Sequence, residues 1–198
     1  MNEFFLALSL IPFYLIGAFP TGYILARRAG IDIASAGSGN VGATNLGRVL
    51  GKKAGILTLF GDVLKGVTAV MLAHLCVGTP WYDSLVAAVA VMGHCFSVPP
   101  LLRGGKGVAT SLGVLVALKP ILALAAIVIF GITFWMKRTV SLASVAAALL
   151  IPVVVLVCGM QDYLLYGIVP IAFVIVYKHR ANLDRLAKGT EPKFEFKK

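Results

Sequence analysis

The sequence predicts an all-α, polytopic membrane protein of about seven transmembrane helices, some short, with its N-terminus outside and its C-terminus cytoplasmic. Three observations carry that expectation. The 198 residues are 59% hydrophobic and only 13% charged, with a mean hydropathy of +0.93. Soluble domains carry roughly 25% charged residues, so this chain cannot clothe a core in polar surface. The apolar residues fall in long runs, and the positive charges fall between alternate runs. These features exclude an ordinary soluble domain, a disordered chain and a secreted disulfide scaffold. Cys76, Cys95 and Cys158 lie in apolar surroundings without metal-ligand spacing and are expected to be small buried hydrophobes.

The apolar runs cover 4–26, 54–78, 82–99, 107–118, 121–136, 140–158 and 162–177. A spanning helix needs about 20 apolar residues to cross about 30 Å of hydrocarbon. The first run follows Met1-Asn2-Glu3, which lacks the basic start of a signal peptide, and is expected to remain as a span. The stretch 107–136 is divided at Lys119-Pro120, because proline removes a helical hydrogen bond and lysine resists hydrocarbon. Charge supports the division. Seven spans with the N-terminus outside place sixteen of the 18 Lys and Arg residues on the inner face, leaving Lys65 within a span and Lys119 outside. The inner loop 27–53 and a cytoplasmic juxtamembrane tail, 178–198, are the sizeable polar segments of one membrane domain, 1–198. The chain's net charge of +10, with sixteen of its basic residues on that face, suits anionic lipid and small anionic substrates rather than nucleic acid.

Three segments on the inner face carry groups suited to phosphate. The first is Ala36-Gly-Ser-Gly-Asn-Val-Gly-Ala-Thr-Asn45 with Arg48. Gly37, Gly39 and Gly42 let the backbone turn its N–H groups toward an anion; Ser38, Asn40, Thr44 and Asn45 add hydroxyls and amides; Arg48 can grip phosphate bidentately. Its glycine spacing matches a dinucleotide fingerprint formally, but no strand precedes it. The second is Arg103-Gly-Gly-Lys-Gly107, where Gly104, Gly105 and Gly107 surround Lys106 at the opening of a span. It is no Walker loop. The third follows the last span: His179 and Asn182 share a helical face, with Asp184 five residues beyond the histidine and Gly189-Thr-Glu191 further on. The His179–Asp184 spacing matches soluble acyltransferases, but the α/β pattern of that fold is absent. Ser141 and Ser144 lie one turn apart at the inner end of the sixth run. Within the spans, Asp62 and Lys65 suit an ion pair, and His74 and His94 suit hydrogen-bonded packing; Asp83 and Asp162 are expected in solvent on the outer side. Nothing in these groups forms a metal cage. A phosphorylated-metabolite enzyme and an anion transporter both remain open on the residues alone. The absence of an internal repeat and the gathering of polar groups at one face favour the enzyme.

These motifs resemble those of the bacterial integral-membrane glycerol-3-phosphate acyltransferases that use acyl phosphate. Gly37–Arg48 is similar to the family's first motif, Gly93–Thr110 to its second and Lys178–Glu191 to its third. Pro20–Tyr23, Asp62–Gly66 and Val140–Ser144 add weaker matches, so the resemblance runs over almost the whole chain. Ser97–Arg103 departs from the pattern, with two prolines where an aromatic-rich run is expected. The resemblance implies transfer of a fatty acyl chain from acyl phosphate to the 1-hydroxyl of sn-glycerol 3-phosphate, giving lysophosphatidic acid and phosphate. It implies a multi-pass protein of the bacterial inner membrane, an active site on the cytoplasmic face, no cofactor, no metal and no obligate protein partner. Lys106, His179, Ser38 and Arg48 would be catalytic. Gly37, Gly39, Asn40, Gly42, Thr44, Asn45, Gly104, Gly105, Gly107, Ser141, Ser144 and Asn182 would bind the two substrates.

Overall fold

A computed structural model describes residues 3–97 and 104–193. Arg103, most of the atypical Ser97–Arg103 stretch, and Lys197 and Lys198 of the tail lie outside the described residues. Within them all regular structure is helical: α1 (Glu3–Ala18), α2 (Thr21–Arg28), α3 (Ala43–Leu50), α4 (Lys52–Cys76), α5 (Pro80–Cys95), α6 (Val108–Leu118), α7 (Pro120–Lys137), α8 (Val140–Val157), α9 (Leu165–Lys178) and α10 (Arg180–Ala187), with a 3₁₀ turn at Asp162–Leu164. The stretches Phe5–Arg28, Lys52–Cys76, Pro120–Lys137 and Val140–Val157 are long and apolar enough to cross a bilayer. A fifth, Asp162–Lys178 with Arg180–Ala187, is bent by 57°. The chain is therefore an all-helical polytopic membrane protein with four to five apolar spans by this measure. The 16 residues of α5 and 11 of α6 extend only about 24 Å and 17 Å at about 1.5 Å per residue, short of the hydrocarbon core.

The break at Lys119-Pro120 falls where the sequence places it. Lys119 leaves helical geometry, and Pro120 opens α7 at a position whose N–H has no intrahelical partner. Other expectations are corrected. The run 4–26 is divided at Phe19-Pro20 into α1 and α2, and the polar loop 27–53 contains the amphipathic helix α3. Cys76 and Cys158 are exposed, and only Cys95 is buried. Asp83 is buried rather than solvated, because it accepts from His74 at 2.8 Å where α4 turns into α5.

Contacts fix the directions of the helices. Tyr82 Oη donates to Ser9 Oγ at 2.8 Å near the start of α1 and α5, and Gly93 meets Tyr14 and Ala18 near their ends, so the two run parallel. The Ser84 hydroxyl donates to Leu164 O and accepts from Gly167 N, while Lys178 donates to Cys95 O, so α9 runs with them. The α4 helix returns antiparallel, from Lys65 at Phe19 to His74 at Asp83. The connection 29–42, residues 96–97 and 104–107, and the connection 138–139, with the tail from His179, therefore gather at one end of the bundle.

Without water to drive association, membrane helices pack through small residues that let backbones approach. Where α4 crosses α6, a Cβ added at Gly113 would overlap the Val63 carbonyl oxygen and lie 3.1 Å from Val63 Cα. Large apolar side chains such as Leu75, Trp135, Val157 and Phe173 are exposed on the outside, where lipid replaces water. Gly113→Val is expected to cost on the order of 2 kcal/mol by overpacking this crossing. Thermal unfolding in detergent reads it as a lowered midpoint, and a wild-type midpoint would contradict the packing described.

Candidate active site

The Ala36–Asn45 loop is built on its own asparagine. Asn45, 2% exposed, accepts from Ser38 N at 2.8 Å and donates to Ala36 O at 3.0 Å and Asn40 O at 2.9 Å. Asn40 Oδ1 accepts from Gly42 N at 2.8 Å, just before α3. Gly37 and Gly39 have φ of +59° and +68°, a region that side-chain-bearing residues rarely occupy. Beneath them Ala26, Ile33 and Leu46 form a dry platform. Asn40 and Asn45 therefore shape the loop, while Ser38 and Arg48 stay exposed and Thr44 half-buried.

Residues 104–107 lie against the end of α5. Gly105 N donates to His94 O at 3.0 Å, and a side chain at Gly104 or Gly105 would strike Cys95 O or the His94 ring. Gly107, at φ +86°, turns the chain into α6. This fold of the loop leaves Lys106 Nζ donating to Asn182 Oδ1.

From Asn182 a chain of bonds runs to the tail. Asn182 Nδ2 donates to Glu191 Oε1 at 2.6 Å, Ser141 Oγ to the same oxygen at 2.7 Å, and Arg185 Nε to Glu191 Oε2 at 2.7 Å. The Glu191 side chain is 7% exposed. Burial raises its proton affinity, but the donors from Asn182, Ser141 and Arg185 outweigh it and hold the carboxyl below its ordinary 4.5. Ionised, the carboxylate is an acceptor only. It must face the amide nitrogen of Asn182, which leaves Oδ1 for Lys106. Glu191 and Arg185 are thus site residues that the sequence reading did not assign; an acid closing the Gly189-Thr-Glu191 motif of a basic tail was the available signal. Ser144 does not join them, because its hydroxyl bonds back to Val140 O at 2.8 Å.

His179 is 2% exposed, and its Nδ1 lies 2.8 Å from Ile175 O. The ring must donate there, so Nε2 carries the lone pair. Burial lowers its pKa from 6.5 to about 4; the Ile175 bond opposes this and the Lys106 charge adds to it. His179 is neutral near pH 7 and supplies no countercharge. Nor does it pair with Asp184, which is exposed. Burial also lowers Lys106 from 10.5 to about 8, opposed by Glu191 and reinforced by Arg185, Arg48 and Lys178. The site therefore joins Lys106 to Asn182 directly and Ser141 to both through Glu191, with His179 and Arg48 within electrostatic reach of Lys106. Among the described residues no group of His, Cys, Asp and Glu could hold a metal ion.

The family model for glycerol-3-phosphate acyltransferase matches residues 7–189. The chain belongs to this family. It is 45% identical to the glycerol-3-phosphate acyltransferase of Trichlorobacter lovleyi over 182 residues, covering 92% of this chain and 94% of that one. It is 42% identical to that of Syntrophotalea carbinolica, covering 98% and 100%. Among solved structures it is similar to the crystal structure of PlsY, an integral membrane glycerol 3-phosphate acyltransferase, in its glycerol 3-phosphate form. The TM-score is 0.89 at 38% identity, covering 98% of this chain and 96% of PlsY. The lysophosphatidic acid form of PlsY matches with a TM-score of 0.87.

For this acyltransferase, the Lys106 environment sets a pH dependence. The ammonium is present below pH 8 and lost above it, so kcat/KM for glycerol 3-phosphate is expected to fall about tenfold per unit above roughly pH 8. Because Glu191 opposes the lowering of Lys106, Glu191→Gln is expected to move that limb to lower pH. A limb near 10.5, or one that Glu191→Gln leaves in place, would contradict the site electrostatics.

Proposed function

We propose that this member of the glycerol-3-phosphate acyltransferase family uses acyl phosphate as its donor. It transfers the acyl chain to the 1-hydroxyl of sn-glycerol 3-phosphate, giving lysophosphatidic acid and inorganic phosphate in phospholipid synthesis. The observation that carries the reading is the Lys106–Asn182–Glu191 chain, which fixes a half-buried ammonium on the second of two loops able to receive phosphate. Ser38, Thr44, Arg48 and the Gly37–Gly42 backbone face the acyl phosphate group. Lys106, Asn182, Ser141 and the Gly104–Gly107 backbone hold the acceptor, with Arg185 adding charge. Ser144 supports this wall from within α8. Countercharge offsets the repulsion of two anions, and positioning replaces an encounter in solution.

The glycerol oxygen attacks the acyl carbonyl carbon, backbone N–H groups stabilise the oxyanion, and the carbon–oxygen bond to phosphate breaks. His179, with a pKa of about 4, is a weak base at neutral pH. Its Nε2 lone pair accepts from the 2-hydroxyl of the bound acceptor, while the proton of the attacking 1-hydroxyl passes to an oxygen of the departing phosphate. No covalent enzyme intermediate, cofactor or metal enters this scheme, and it calls for no protein partner. The acyl chain lies between helices, open to lipid.

The whole chain, 1–198, acts as one membrane domain with seven crossings. The N-terminus is outside, and the site, with the tail 178–198, lies on the cytoplasmic face of the bacterial inner membrane. The parallel run of α1, α5 and α9 supports this alternation, and Arg48, Lys106 and Lys178 at the site end supply the inner positive charge.

Two measurements test the reading. Purified protein in detergent, without added metal, is expected to release phosphate from palmitoyl phosphate only when glycerol 3-phosphate is present, and to make no product from palmitoyl-CoA. Product from palmitoyl-CoA alone would sink the donor assignment. His179→Ala is expected to raise KM for glycerol 3-phosphate on the order of tenfold while leaving kcat within about threefold. A loss confined to kcat would instead make His179 the base.

A further inference from the structure

The site described above leaves unused a second cluster of ionisable groups, buried within the helices. Asp62 and Lys65 stand one turn apart on α4, 2.9 Å from each other, and both are under 10% exposed. Charges at such depth in a membrane protein are costly and need a reason. Their other contacts supply one. Lys65 Nζ donates to Phe19 O at 3.0 Å, the carbonyl just before Pro20 at the break between α1 and α2. The next turn, at Gly22, is packed directly on the Val41 carbonyl, and Val41 belongs to the Ala36–Asn45 loop. On its other side Asp62 Oδ1 lies 3.6 Å from His94 Nδ1. His94 receives the Gly105 N–H on its carbonyl and packs its ring against the Gly105 Cα. A small cavity lined by Phe19, Thr21, Val41, Asp62, Lys65 and His94 lies at the centre. The pair thus stands between the element under the first phosphate loop and the element under the second.

We infer that Asp62 and Lys65 are positioning residues for acyl transfer: by tying the α1–α2 break to the His94–Gly105 junction, they set the spacing between the Ser38–Asn45 and Gly104–Gly107 loops. The inference rests on the assignment of those loops to the two substrates. It goes beyond an ion pair that holds α4 together, because Lys65 reaches a carbonyl 46 residues away in sequence. Misplacing reacting groups by about 1 Å costs on the order of a hundredfold in rate, while each substrate can still bind its own loop. The pair should therefore govern kcat with both substrates present and leave the affinity for one alone.

Asp62→Asn with Lys65→Met tests this, because replacing both members of a buried pair by neutral groups is often tolerated by the fold. In detergent the double variant is expected to bind glycerol 3-phosphate, measured by calorimetry, within about threefold of wild type, and to lose kcat on the order of tenfold or more. Lys65→Arg, which keeps a donor for Phe19 O, is expected to retain most of the rate. The swap Asp62→Lys with Lys65→Asp restores a pair but removes the donor from position 65, and is expected not to rescue. Wild-type kcat in the neutral double variant, equal losses of affinity and rate, failure to recover it folded, or rescue by the swap would each overturn the inference. Wild-type turnover measured alongside tests the underlying substrate assignment separately.

Discussion

The site depends on one buried carboxylate. Glu191 gathers Ser141, Asn182 and Arg185 through three donors, drawing the start of α8, the helix α10 and the chain beyond it to a common point. As an acceptor it dictates which end of the Asn182 amide faces Lys106. The orientation of one amide thereby locates an ammonium on a loop 76 residues away. Such a network is worth having only when fully satisfied, since low polarity strengthens made bonds and penalises unmade ones alike.

The membrane imposes the complementary constraint. Every backbone group in hydrocarbon needs an internal partner, so irregular chain is confined to the bundle's ends. The helices α1, α5 and α9 finish at one end, and the polar connections that follow them converge there. Glycines then permit the fit: Gly105 against His94 brings the second loop onto α5, and the turns at Gly37 and Gly39 fold the first loop around Asn45. Two glycine-rich loops distant in sequence come to the same end of the bundle without any sheet to carry them.

Much of this was legible in the residues. Hydropathy marked the helices, Lys119-Pro120 marked the division of α6 from α7, and the three motifs marked residues that the fold gathers at one end of the bundle. What was not legible depended on tertiary partners. Pro20 lies in an apolar run, and nothing local shows that α1 ends there with Lys65 waiting for its carbonyl. Asn40 and Asn45 looked like ligands for phosphate, but the Asn45 amide is spent on loop backbone and Asn40 Oδ1 holds Gly42 N. His179 lies in a matched motif, but only its burial among the helices leaves it neutral. Glu191 lay in a matched motif, but its role emerges only when Ser141 and Asn182, from other helices, meet it.

The central claim is that Lys106 and Asn182 act on glycerol 3-phosphate as one unit, not as two independent contacts. A double-mutant cycle on kcat/KM for glycerol 3-phosphate, using Lys106→Met, Asn182→Ala and their combination, tests it most directly. Groups sharing a hydrogen-bond network show coupling of about 0.5–3 kcal/mol. The account expects at least about 1 kcal/mol within that range, with the double variant little worse than the poorer single one. Losses that simply add would contradict it.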